Sequence, residues 1–171
     1  MPILNNDDIL VSGSYEGLIV NPLTAETRGA EFFNEDTVVI PSGRCVCQGA
    51  ADTGLILPVD ANSVPRGIAM LPVGIEKRDG YSLDAVGDFG WPVDWPMPMF
   101  VRGDILVYYD EAVTPADNVF MIHTAYTGAK VGQFRTDANT DKAIQIVHAR
   151  PLESGGPGLV KTFFDFNLPN A

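Results

Sequence analysis

The 171-residue chain carries a formal net charge of −11, with 46% hydrophobic and 19% charged residues. A chain of this length and balance builds one globular domain, burying roughly 70% of the surface that its unfolded form exposes, and it needs neither a disulfide nor a metal to fold. Negative charge without a basic block argues against nucleic acid and anionic membranes as partners, and no apolar run reaches the ~20 residues of a membrane-spanning helix.

At the start, Met1 is followed by Pro2 and by the polar residues Asn5, Asn6, Asp7 and Asp8, so no secretory signal is expected and the chain is expected to be made in a cytoplasm. Residues 1–37 mix these with Ser12-Gly13-Ser14 and Asn21-Pro22, between small apolar clusters that are too separated to build a core of their own. Two readings stand. The segment is either an extended arm that gains order on another surface, burying Ile3, Leu4, Ile9, Leu10, Leu18, Ile19 and Val20 with Phe32 and Phe33, or an early hairpin of the same domain. The first divides the chain into an N-terminal arm, 1–37, and a β domain, 38–171.

From there on, 17 glycines and 13 prolines punctuate short apolar runs. This rhythm predicts strands over 37–40, 44–48, 54–59, 67–71, 103–109, 118–124, 142–150 and 159–168. Cys45 and Cys47 fall on one face of the second strand. Their C-x-C spacing is too tight for ordinary structural zinc, so buried, inert thiols are expected; the alternative is half of a metal site shared with His123 or His148. The best helical window, 82–86, is too short to matter. In Trp91-Pro92-Val93-Asp94-Trp95-Pro96-Met97-Pro98-Met99-Phe100, three prolines rule out a helix and a central strand. Both tryptophans and both methionines are therefore expected on an irregular loop. It either forms a contact through Trp91, Trp95 and Phe100 or folds back over the end of its own domain.

In the run from 103, Ile105, Val107 and Tyr109 oppose Leu106 and Tyr108, which marks a central strand or one at a subunit contact. In the last run, Val160, Thr162, Phe164, Phe166 and Leu168 share one face. With antiparallel turns and no βαβ alternation, the expected fold is all-β: a jelly-roll-like sandwich or barrel with an extended N-terminal arm.

Catalytic constellations are missing. His123 and His148 lie inside predicted strands, away from any nucleophile pattern. Asp84, Asp88 and Asp94 sit in turn-forming sequence, where Asp caps its own backbone. Asp137-Ala138-Asn139-Thr140-Asp141 opens like a calcium loop but has Lys142 where glycine is required and His148 where a bidentate Glu is required. No phosphate-cradling glycine motif exists. The chain is expected not to be an enzyme and to hold no cofactor.

Phe100-Val101-Arg102-Gly103-Asp104-Ile105-Leu106-Val107 leads into Asp110-Glu111-Ala112-Val113-Thr114-Pro115-Ala116-Asp117-Asn118-Val119-Phe120, then Gly132-Gln133-Phe134-Arg135, and finally Gly158-Leu159-Val160 and Phe166-Asn167-Leu168. Upstream stand Ile40-Pro41-Ser42-Gly43-Arg44-Cys45-Val46 and Pro65-Arg66-Gly67-Ile68-Ala69. In this order the motifs, over about 38–168, resemble those of the structural cement, or capsid decoration, proteins of tailed bacteriophages. The departures are Ala116-Asp117 in place of Gly-Asp, the proline-rich tryptophan loop, and residues 1–37. The resemblance implies a homotrimer on the outer surface of the virion, where it binds the major capsid protein and clamps neighbouring capsomers. Two further readings remain: a carbohydrate-binding β sandwich using Trp91 and Trp95 as stacking platforms, and a small hydrolase using Asp84, Asp88 and Asp94.

Overall fold

The structure, a computed structural model, describes residues 16–29, 31–70, 82–83 and 89–168, with backbone alone at 82, 83 and 89. Ile3, Leu4, Ile9, Leu10, Asp84 and Asp88 lie outside the described residues. Among those described there is no helix, as expected for a chain rich in β-branched and aromatic runs separated by Gly and Pro. The strands are β1 (Glu26–Arg28), β2 (Phe33–Asn34), β3 (Ile40–Pro41), β4 (Cys45–Gln48), β5 (Gly54–Ile56), β6 (Pro65–Ala69), β7 (Ser82–Leu83), β8 (Phe89–Trp91), β9 (Met99–Tyr109), β10 (Phe120–Ile122), β11 (Phe134–Arg135), β12 (Ala143–Gln145), β13 (Ala149–Pro151) and β14 (Gly158–Asp165).

The spine is β9. It pairs antiparallel with β14 from Gly158↔Tyr109 to Asp165↔Arg102, with β6 at Phe100 and Met99, and with β1 at the same end. The main sheet runs β12-β10-β11-β9-β6-β4-β5-β2, with β1, β13 and β14 branching from it, and β3-β8-β7 form a second, small sheet. The end strands β12 and β2 do not pair, so the closed-barrel alternative is not what forms. The sheet nonetheless curls far enough to bring Cys47 of β4 within 3.7 Å of the Met121 sulfur on β10, with three strands between them along the sheet path.

Three apolar clusters form among the described residues, and the two main ones arise because strands buried on both faces supply side chains alternately to each. Cys45, Cys47, Ile68, Phe100, Ile105, Val107, Tyr109, Phe134 and Phe164 belong to the larger. Val46, Ala69, Met99 and Val101, with Phe32, Ile40, Leu55, Trp91 and Met97, form the other. On β9 this alternation breaks in the middle. Phe100 and Ile105 could not share a face on a regular strand, and Val101 is the extra residue of a bulge, since Glu26 faces Arg102 while Thr27 faces Phe100. Gly103, at φ 120°, takes up the distortion where Phe164 lies opposite it.

Most expected strands are present but shorter, whereas β9 starts four residues earlier than expected, β6 is shifted to 65–69, and 142–150 is split into β12 and β13. Trp91, Met99 and Phe100 leave the predicted loop: Trp91 closes β8, the middle strand of the small sheet, and Met99 and Phe100 open β9. The prolines therefore confine the irregular stretch to 92–98, where none has to donate to a ladder.

Candidate assembly surface

The described part of the expected arm lies on its own domain. Gly17 N–H donates to the Leu106 carbonyl (2.8 Å), Leu106 N–H to that of Leu18 (3.0 Å), and Val20 N–H to that of Asp104 (3.0 Å). Leu106 thus spends both backbone groups on the arm, so residues 17–20 line the edge of β9 opposite β14. Glu16 reaches the fully buried Arg44 guanidinium at 3.6 Å. This docking depends on Gly43, which has φ 79° and whose missing Cβ would stand 2.4 Å from Glu16 Cβ and 2.9 Å from the Gly17 nitrogen. Gly43→Ala is expected to cost about 1–3 kcal/mol for the left-handed backbone alone. It should also lift residues 16–20 from β9, which amide hydrogen exchange of Gly17 and Leu106 would report; continued protection of both would refute this.

Downstream, Phe32 is buried in the smaller of the two main cores, and Asn34 anchors the proline loop. Its Nδ2 donates to the carbonyls of Val38 (2.9 Å) and Trp91 (2.8 Å), while its Oδ1 accepts from Asp36 N–H (2.8 Å). Backbone bonds from Asn34 to Trp95 (3.0 Å), Asp94 to Asn34 (2.8 Å) and Met97 to Phe32 (2.9 Å) fasten the loop to β2. Of the sequence-predicted contacts, Phe100 is fully interior, and Trp91 is 5% exposed with its indole N–H donated to Met70 C=O at 3.0 Å. Around this hydrogen-bonded frame Trp95 is 41% exposed and Val93 38%, Val38 is exposed and Phe33 half-buried, so several apolar side chains stand open there. A pair of tryptophan platforms for a sugar is therefore not presented, since Trp91 is buried. Sequence reasoning missed Val38 and Val93, which carry no motif and are brought beside Trp95 by Asn34.

The outer face of β9 and β14 is a second half-exposed apolar strip. Leu106, Tyr108, Leu159 and Phe163 lie on it beside the Lys161–Asp104 ion pair (3.5 Å), with the Arg150 guanidinium 5.8 Å above the Phe163 ring. This is the two-sided character of residues 103–109 that the sequence predicts.

Of the candidate reactive groups, Cys45 and Cys47 are free and buried, and burial pushes the Cys45 thiol well up from its ordinary pKa, so it stays protonated and inert. His123 is buried with Nδ1 on Thr124 Oγ1 (3.0 Å), and Asp94 sits at φ 61° in an exposed turn. Among the described residues no cluster of His, Cys, Asp and Glu could hold a metal ion.

A family model for phage cement, described as "Structural cement protein (E217 gp24/Pam3 gp6)", matches residues 12–162. The chain belongs to that family. This cement protein thus has a structural role in a phage capsid and a place in the virion. Among solved structures, it is similar to a chain described as "The capsid of Myoviridae Phage XM1", at 19% identity and a TM-score of 0.63, over 95% of this chain and 98% of that one. The two share the fold. No curated protein matches it.

Proposed function

We propose that the cement protein binds the outer surface of the phage head as a homotrimer, contacting the major capsid protein and holding neighbouring capsomers together. The observation that carries this reading is the set of open apolar side chains Phe33, Val38, Val93 and Trp95. Their frame is fixed by hydrogen bonds, so little ordering entropy is lost on docking. Each copy would bind the assembled lattice and not its dissociated subunits, and so oppose disassembly by mass action. Three linked copies would turn a modest contact into a tenacious one. The charge of −11 would keep decorated particles apart.

Residues Ile3, Leu4, Ile9 and Leu10 complete the proposed contact set. A truncation that tests them must stop before Glu16, because residues 17–20, β1 and β2 are built into the sheet and Phe32 into the core.

Purified protein should have the mass of three chains in solution, bind undecorated heads, and raise the temperature at which heads release DNA; a monomer that leaves that temperature unchanged would contradict the proposal. Trp95→Ala, at an exposed position, should leave folding intact. An anchor residue of this kind is worth about 2 kcal/mol or more per site, so the affinity for heads, and with it the occupancy at sub-saturating protein, should fall at least about tenfold. Undiminished occupancy would remove Trp95 from the contact.

A further inference from the structure

A groove of about 460 Å³ opens where β9 begins, at the opposite end of that strand from Gly17. Its floor is apolar and buried, formed by Met99, Val101 and Ile146, and its rim carries Val64 (59% exposed) and Leu168 (49% exposed). Charge on the rim runs against the character of the whole protein. Asp165 is held by Arg102 at 3.3 Å, Arg28 is exposed with Glu26 only at 4.0 Å, and Arg66 has no ion pair among the described residues. A cationic, apolar cleft on a chain of net charge −11 favours an acidic, apolar segment.

The chain itself owns such a segment. Residues 1–15 place Asp7 and Asp8 between Ile3-Leu4 and Ile9-Leu10-Val11, with no Lys or Arg. The described arm antiparallel to β9 ends at Glu16, and traced backward from Val20 it runs toward the Tyr109 end. The groove lies at Met99, seven residues the other way and so about 23 Å behind Gly17's partner Leu106 at ~3.3 Å per residue. A chain leaving in that direction must double back to reach its own groove. Fifteen residues can span up to about 50 Å outward, enough to reach another copy.

We propose that this groove receives residues 3–11 of a second copy of the chain, linking cement subunits by exchanged N-terminal segments. The inference deepens the homotrimer reading and rests on it. Asp7 and Asp8 face Arg66 and Arg28, Ile9 and Val11 fill the floor, and the surface around Trp95 is left for the capsid.

Two full-length variants, Ile9→Cys and Leu168→Cys, are mixed and mildly oxidised; the native cysteines are buried, and each variant has a single new thiol, so a disulfide joining the two kinds of chain is intermolecular. The mixture should yield about tenfold more covalent heterodimer than Ile9→Cys mixed with Asp52→Cys, which puts the thiol on an exposed turn outside the groove lining, reflecting the raised effective concentration of a docked segment. Arg66→Glu in the Leu168→Cys chain should reduce the yield, and Asp7→Arg with Asp8→Arg in the other chain should restore it. A yield no higher than the Asp52→Cys control overturns the proposal, as does ready intrachain closure in a single chain carrying both cysteines. Heterodimer formation in a protein that ignores heads would refute the capsid reading alone; head binding without heterodimer would refute the exchange alone.

Discussion

Replacing Phe164 with alanine is expected to remove about 3–5 kcal/mol of folding stability, a large part of the roughly 5–15 kcal/mol that a domain possesses. The ring is fully buried at the centre of the larger core, tilted against Phe134 at 5.1 Å and stacked on Phe166 at 5.4 Å. Its cross-strand neighbour is Gly103, which has no side chain to lean into the space left behind. Beside it, Tyr109 and Thr162 share a buried hydroxyl bond of 3.1 Å, and burial raises the tyrosine's pKa, so this neutral pair cannot ionise to draw in water at ordinary pH. The cavity should persist. In urea the midpoint should fall with an unchanged slope. Phe163→Ala, on the half-exposed outer face, should cost markedly less, and equal losses would mean that the β9–β14 register is misassigned.

Arg135→Ala should be comparably severe, at about 3–5 kcal/mol, because it strands a buried carboxylate. The guanidinium lies 3.4 Å from Asp110, 3.3 Å from Glu111 and 2.8 Å from Asp137, and it is hydrogen-bonded to the Tyr126 hydroxyl, which in turn donates to Asp110. Asp110 Oδ1 is buried with no hydrogen-bond partner, so Arg135 is what offsets its charge. Glu111 also accepts from Thr136 N–H and Oγ1, each at 2.7 Å, which ties the end of β9 to β11. Removing both charges together, as Arg135→Met with Asp110→Leu, should destabilise less than Arg135→Ala alone; thermal melts of the three proteins decide it. The hub also has an alkaline limit. Burial, with Asp110 beside it, pushes the Tyr126 phenol up to about 12. The stability this represents is complete below the ordinary tyrosine pKa near 10 and is lost as pH climbs through the folded value. An absorbance titration that ionises Tyr126 near 10 would contradict that.

The all-β class, the central two-faced strand at 103–109, the buried thiols and the turn role of Asp94 were legible because each depends on local chemistry: alternation with period two, Gly and Pro spacing, and the preference of Asp for turns. Cement-family membership was legible from the order of weak motifs. The burial of the candidate contact residues was only partly so. Trp91, Trp95 and Phe100 are equally apolar neighbours in one proline-rich run, yet one ends the middle strand of the small sheet, one is 41% exposed and one is fully buried beside the β9–β6 pairing. Sequence gives a residue's appetite for burial and not the surface that satisfies it.

Composition and alternation by themselves determined that this chain makes a β sheet with strands buried on both faces. What only the tertiary structure decided is which way each apolar group faces. The bulge at Val101 reverses the faces of β9 midway, and the parallel contacts of β2 with β5 and of β11 with β9 join segments that no short turn connects. Such pairings depend on backbone hydrogen bonds that any sequence can make, so they are fixed by the packing of the whole sheet and leave no mark in the residues that form them.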